Sequence, residues 1–351
     1  MHPTNRKIVL LIPLFLEYSS VLCISEDYKY YTLEGGDRMP RIGFGTWQAA
    51  DDVLEQSVEL ALEAGYRHFD TARAYENEAA LGRALKRWIG GDPNKRKELF
   101  VVTKLPPGGN RPDLVSEYFN ASINDLGLDY IDLYLMHTPF AFEHVPGDLH
   151  PKNPDGTMRI DNSTDLLAVW KAIIKLKETG RVKHVGVSNF NEEQLQRISA
   201  IEKPACLQVE IHALCQQGPL IEAANKLGIP IVAYSPLGSR ALAEALAAKT
   251  GRDYPDLLKL PVVQRIAESH GRTPAQILLR HIIQRGLAAI PKSTHAARIK
   301  QNISIWDFEL TDSEMKDLAT LDRGENGRIC DFTFFQGIEK HPEFPFKNRL
   351  H

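Results

Sequence analysis

Eight short apolar runs, each followed by an amphipathic segment, organise the chain from residue 43 onward. They are "GFGTW" (43–47), "RHFDTA" (67–72), "LFVVTKL" (99–105), "IDLYLMH" (131–137), "KHVGVSN" (183–189), "CLQVEI" (206–211), "IPIVAYS" (229–235) and "LAAIPKS" (287–293). Strands this continuously apolar need cover on both faces, as in a parallel sheet. Between them, "DDVLEQSVELALEAG" (51–65) sets Val53, Leu54, Val58, Leu60, Ala61 and Leu62 on one broad face and closes at Gly65, a C-capping residue. "NEAALGRALKRWIG", "DLVSEYFNASINDLG", "LLAVWKAIIKLKETG", "GPLIEAANKLG", "TPAQILLRHIIQRG" and "TDSEMKDLATLD" read the same way. The fold class is therefore α/β, and eight βα units predict a closed (β/α)8 TIM barrel over residues 24–351; a doubly wound open sheet is the alternative. Ahead of the first unit, "YYTLEGGDRMPRIG" reads as an N-terminal β-hairpin turning at Gly35-Gly36. Segments 138–164, 237–260 and 322–351 break the rhythm, and the last reads as a C-terminal substrate loop.

A formal net charge of −3 with acids and bases interspersed leaves no basic stripe, which excludes nucleic acid as a partner. Cys23, Cys206, Cys215 and Cys330 form no CxxC pair and no His/Cys spacing for zinc, so neither a disulfide framework nor a metal is expected. Cys330, in a late loop, reads as a plain free thiol. Residues 1–23 have a basic start at Arg6 and Lys7 and an apolar run from Ile8 to Leu16, the layout of a signal peptide. That run is too short to span a bilayer, so the chain is expected to be secreted without stable membrane association; a cytoplasmic protein with an uncleaved extension is the alternative. Asn120, Asn162 and Asn302 stand in N-x-S/T triplets.

In such a barrel the active site lies at the C-terminal ends of the strands. Asp70 follows the second strand, with Tyr75 just beyond; Lys104 ends the third, and His137 the fourth. A phenol is a poor acid at neutral pH. An ammonium beside it favours loss of its proton, and a carboxylate holds that ammonium in place. Histidine adds a donor for a carbonyl oxygen. Together the four protonate a carbonyl while a reductant attacks its carbon, and none of them supplies hydride, so a nicotinamide cofactor is required. Taken singly, Asp70 and Lys104 could be a structural ion pair, Tyr75 a half-buried aromatic and His137 a satisfied core histidine; their joint placement favours the chemistry. No GxGxxG loop is present. Phosphate-binding groups are expected after the seventh and eighth strands, where Lys292, Ser293, Thr294 and Arg298 offer two cations and two hydroxyls to the 2′-phosphate of NADP, and Tyr234 offers a ring to the nicotinamide.

"GYRHFDTARAYENEAALG", "GRVKHVGVSNF" and "IPKSTHAARIKQN" closely resemble the three signature stretches of the aldo-keto reductase superfamily. The resemblance covers nearly the whole chain from about Tyr31. It implies a monomeric barrel using NADPH on a small-molecule carbonyl, with Asp70, Tyr75 as general acid, Lys104 and His137 as the catalytic tetrad. By the same matching, Ser188, Asn189 and Gln208 hold the nicotinamide carboxamide, Tyr234 stacks on its ring, and Ser235, Leu237 and Ser239 form the pyrophosphate loop. Lys292, Ser293, Thr294, Arg298 and Asn302 take the adenosine end.

The chain departs from the aldose reductase-like pattern at Pro106 and Thr138, where aromatics are common in that group. Their loss widens the barrel mouth, and Trp47, Phe140, Phe142, Phe332, Phe334 and Phe335 are the residues that can rebuild it. Arg240-Ala241 replaces a cofactor-clasping aspartate, which implies faster cofactor release. An exported leader with a wide apolar pocket is similar to the insect 3-dehydroecdysone 3β-reductase type, so a steroid-like ketone joins the expected substrates. A non-catalytic NADPH-binding barrel is the alternative function, which predicts a missing tetrad member. A hydrolase or aldolase barrel is a third, but it leaves the cofactor-type residues unexplained.

Overall fold

The computed structural model describes residues 25–346. The expected leader lies outside them. Strands β1 (Tyr30–Thr32) and β2 (Arg38–Pro40) pair antiparallel across the Gly35-Gly36 turn. Eight parallel strands follow in sequence order: β3 (Phe44–Gly45), β4 (His68–Asp70), β5 (Phe100–Leu105), β6 (Ile131–Met136), β7 (Val182–Ser188), β8 (Leu207–Glu210), β9 (Ile231–Tyr234) and β10 (Ala288–Ala289). The first and last strands close the barrel through a parallel bridge between Ile42 and Ala289. There the Ala289 N–H donates to the Arg41 carbonyl at 2.7 Å, and the Gly43 N–H to the Ala289 carbonyl at 2.9 Å.

The strand period of two sorts side chains between two cores. Outward residues such as Phe69, Val101, Leu105, Tyr134, Val185 and Val209 meet the helices in one large cluster. Inward residues Phe100, Val102, Leu133, Leu135, Cys206, Val232 and Ala288 fill the barrel. Leu33 and Met39 of the hairpin join this inner cluster, and Asp37 meets His184 at 2.9 Å, so β1 and β2 plug the end at which the strands begin. The opposite end remains for the site. Asp70, Lys104, His137, Ser188, Gln208 and Tyr234 each continue the inward parity of their own strand.

Helix ends follow the sequence signals. Gly90, Gly127, Gly180 and Gly228 lie at φ 59°, 61°, 70° and 65°, the left-handed cap conformation that glycine adopts without a Cβ penalty. Thr273 and Thr311 make capping boxes with Gln276 and Glu314. Among the described residues five helices add to the expected set, Pro93–Glu98, Glu192–Ser199, Arg240–Thr250, Pro261–His270 and Ala296–Ile303; the third occupies the segment 237–260 that broke the rhythm. Among the described residues no helix is long and apolar enough to cross a membrane.

Candidate active site

Lys104 is fully buried, and its ammonium uses all three of its donors. Nζ donates to Asp70 Oδ1 at 2.6 Å, to the Thr71 carbonyl at 2.8 Å and to the Tyr75 hydroxyl at 3.2 Å. The other carboxylate oxygen of Asp70 accepts from Gln208 Nε2 at 2.6 Å. Burial works against the charged lysine, but the Asp70 carboxylate and the Tyr75 phenol outweigh it and hold the Lys104 pKa above its ordinary value. Breaking such a pair leaves one charge buried alone. Lys104→Met is therefore expected to cost about 3–5 kcal/mol of folding stability, measured by urea unfolding; a loss under about 1 kcal/mol would contradict the coupling.

Tyr75 reaches the ammonium because the chain turns sharply after β4. A single helical turn, Arg73–Tyr75, ends at Glu76 in the left-handed region (φ 56°). Asn77 anchors the turn by donating to the carbonyls of Thr46 and Ala49 at 3.0 and 3.2 Å. Burial raises the phenol pKa, Lys104 lowers it and Asp70 raises it again, with a net rise. The hydroxyl therefore keeps its proton, and the adjacent ammonium favours the phenolate left after that proton is given up.

His137 stands edge-on to Tyr75, with ring centroids 5.6 Å apart. Burial, with lesser contributions from Lys104 and His150, pushes its pKa well below the usual histidine value. Its Nδ1 is buried without a hydrogen-bond partner. A neutral imidazole beside the Tyr75 ring is suited to donate to a carbonyl oxygen without adding charge. His68 and His281 are held neutral by burial in the same way, His281 down to about 3. These groups bind protons more readily in the unfolded chain. Their stabilising contribution is complete above the ordinary value near ~6.5 and is lost as the pH falls below it. His281 alone is expected to remove about 2 kcal/mol between roughly pH 7 and pH 5, so thermal unfolding should move to lower temperature over that range; a constant midpoint would contradict this.

Asp70, Tyr75 and His137 line a cavity of about 540 Å³, with Lys104 fully buried behind them, within the range of small-molecule sites. On one side Asn189, in the left-handed region (φ 63°), donates to the His137 carbonyl at 2.9 Å and accepts from the Tyr234 hydroxyl at 2.7 Å. Ser188 Oγ donates to the Gln208 carbonyl at 2.8 Å. These residues, with Ser235, Leu237 and Ser239, line the cavity. Lys292 and Arg298 stand at its edge, exposed and with no ion-pair partner among the described residues, which fits a phosphate-bearing ligand. Ser293, Thr294 and Asn302 do not line it: Ser293 Oγ accepts from the His295 N–H at 3.2 Å, and Asn302 is buried in the helix Ala296–Ile303. Arg240, at the start of its helix, pairs with Glu244 at 2.7 Å and approaches Asp256 at 3.6 Å.

On the other side Trp47, Phe332, Phe334 and Phe335 line the wall together with Thr138. Phe140, expected to face substrate, does not. Asn110 donates to the carbonyls of Thr138 and Phe140 at 2.9 and 2.7 Å, and the Phe140 ring packs behind the wall with Phe142, Phe332 and Phe344. Several lining residues escaped the sequence reading, His150 and Cys330 among them. His150 stacks on Phe335 with centroids 5.4 Å apart, and Cys330 is buried, its thiol pKa raised by burial. Both sit in segments without strand or helix periodicity, so no sequence pattern marks them. Among the described residues no cluster of His, Cys, Asp and Glu could hold a metal.

The Aldo/keto reductase family model matches residues 41–323. Aldo-keto reductase family 1 member A1 of Gallus gallus is 44% identical over 335 residues, covering 93% of this chain and 99% of that protein. The member A1 protein of Homo sapiens is 43% identical over 83% of this chain and 88% of its own length. The aldose reductase structure from Schistosoma japonicum superposes with a TM-score of 0.81 at 37% identity, covering 91% of this chain and 99% of the other. With its closed barrel and the Asp70–Lys104–Tyr75 cluster at the C-terminal rim, this chain belongs to the aldo-keto reductase family of NADP-dependent carbonyl oxidoreductases.

Proposed function

We propose that the chain reduces an aldehyde or ketone to an alcohol with NADPH, with Tyr75 as the general acid. The observation that carries this reading is the buried Lys104 ammonium, bonded at 2.6 Å to Asp70 and at 3.2 Å to the hydroxyl of Tyr75, both of which line the cavity. The nicotinamide, when bound, supplies the hydride. His137 and the Tyr75 hydroxyl orient the carbonyl oxygen, and Tyr75 gives up its proton as negative charge develops there. Lys104 then stabilises the phenolate, and Asp70 keeps Lys104 placed and charged. Ser188, Asn189 and Gln208 hold the carboxamide, Tyr234 stacks on the ring, and Ser235, Leu237 and Ser239 follow the pyrophosphate. Lys292 and Arg298 bind the 2′-phosphate, with Ser293, Thr294 and Asn302 supporting that end from the same segment. The four assembled residues argue against a non-catalytic barrel.

Aromatic walls support a bulky, largely apolar carbonyl, and a steroid-like ketone such as 3-dehydroecdysone is the proposed class. Trp47, His137 and Phe332 border its position. The leader sequence supports secretion, and the protein is proposed to act as a monomer. The test follows NADPH consumption against small aldehydes, aldoses and a bulky 3-ketosteroid. Preference for the ketosteroid is expected; preference for small aldehydes would place the chain among general aldehyde reductases.

A further inference from the structure

We propose that Glu210 is the positioning residue that shapes the substrate pocket, latching the C-terminal loop to the barrel; the inference rests on the carbonyl-reductase reading of the cavity. Glu210 ends β8, two residues beyond Gln208, and its side chain is fully buried. Its carboxylate takes no substrate and sits outside the cavity lining. Instead, Oε1 accepts from the Ile329 N–H at 2.7 Å, and Oε2 from the Cys330 N–H at 2.8 Å. His212 Nε2 lies 2.9 Å from Oε1. Because His212 Nδ1 accepts from the Leu214 N–H, Nε2 carries the proton and donates to the carboxylate.

Three donors thus converge on one buried carboxylate, and charge-assisted bonds of this kind are stronger than neutral ones. Burial acts to raise the Glu210 pKa, but the His212 hydrogen bond, the nearby Arg328 charge and the Ile329 N–H bond together lower it. The latch therefore stays ionised at neutral pH.

What it fixes is the alternation of side chains along the loop. Ile329 packs with Ala243 and Leu246 of the helix Arg240–Thr250 beside the cofactor side of the cavity. Cys330 and Phe332 turn the other way and line the cavity, joining the aromatic cluster of Phe140 and Phe142. Phe332 has φ 60°, a conformation that a bulky residue keeps only when its surroundings over-determine it. A slip of one residue at Ile329-Cys330 would exchange the two faces and remove the pocket wall.

Glu210→Gln tests this with little change in volume. An amide has one acceptor oxygen, so one of the two loop N–H groups would face an NH2. The KM for a bulky aryl aldehyde such as 4-nitrobenzaldehyde is expected to rise about tenfold or more, while the KM for propanal and the NADPH affinity stay within about twofold. Limited proteolysis of the folded protein between residues 333 and 340 should become faster. His212→Phe, which removes one donor of three, should move both readouts in the same direction by less, and it serves if the glutamine variant does not fold. Equal loss for both aldehydes, or unchanged loop cleavage, would overturn the proposal. Loop cleavage reports on the latch whether or not the wild-type protein turns over either aldehyde, so failure of the carbonyl reading is distinguishable.

Discussion

Tyr75→Phe is expected to lower carbonyl turnover by about 10³-fold or more while the NADPH affinity stays within about twofold. The variant removes a single oxygen, and among the described residues that hydroxyl is the only proton-bearing group bonded to the Lys104 ammonium, at 3.2 Å. General acid catalysis contributes typically ~10²–10⁴-fold. His137 cannot take over at neutral pH, because burial holds it in its neutral form. Asn189, Tyr234 and Gln208, the groups proposed to hold the cofactor, do not bond to the Tyr75 hydroxyl, so binding should survive. Steady-state turnover beside fluorescence titration of NADPH separates the two quantities, and near-normal reduction by the variant would refute the acid assignment.

Arg298→Met is expected to weaken NADPH binding about 10–100-fold and leave NADH nearly unchanged. Arg298 lines the cavity edge from an exposed position without an ion-pair partner among the described residues. A guanidinium bonded to phosphate in this way is commonly worth about 1.5–3 kcal/mol, which corresponds to that loss. NADH lacks the 2′-phosphate and has nothing for the side chain to grip. Titration with both nucleotides checks this; equal losses would sink the 2′-phosphate role and point to a general effect on the helix Ala296–Ile303.

The barrel was legible because its strands carry their signal locally. All eight apolar runs contain a strand, down to Ala288–Ala289, where only two residues pair. The inward parity of Asp70, Lys104 and His137 follows from the strand period alone, so their convergence was readable from their places at successive strand ends. Phe140 was misplaced because its direction is set by the bonds from Asn110, thirty residues away in sequence. His150, Cys330 and Glu210 were missed for a related reason. The first two lie in aperiodic loops, and Glu210 reads as one more strand residue until the loop it holds is seen to fold back over 119 positions. Long-range bonds to backbone leave no periodic trace. The helix Arg240–Thr250 was hidden differently, since its Ala-rich sequence shows no sharp apolar face and buries only Ala243 and Leu246.

The most direct test of the central claim supplies NADPH carrying deuterium at the transferable position of the nicotinamide, together with an aryl aldehyde, and reads the alcohol by mass spectrometry. One deuterium is expected on the carbinol carbon with wild-type protein, and a near-complete loss of labelled alcohol with Tyr75→Phe. Alcohol formed without the label, or no alcohol from wild-type protein that binds NADPH, would contradict it.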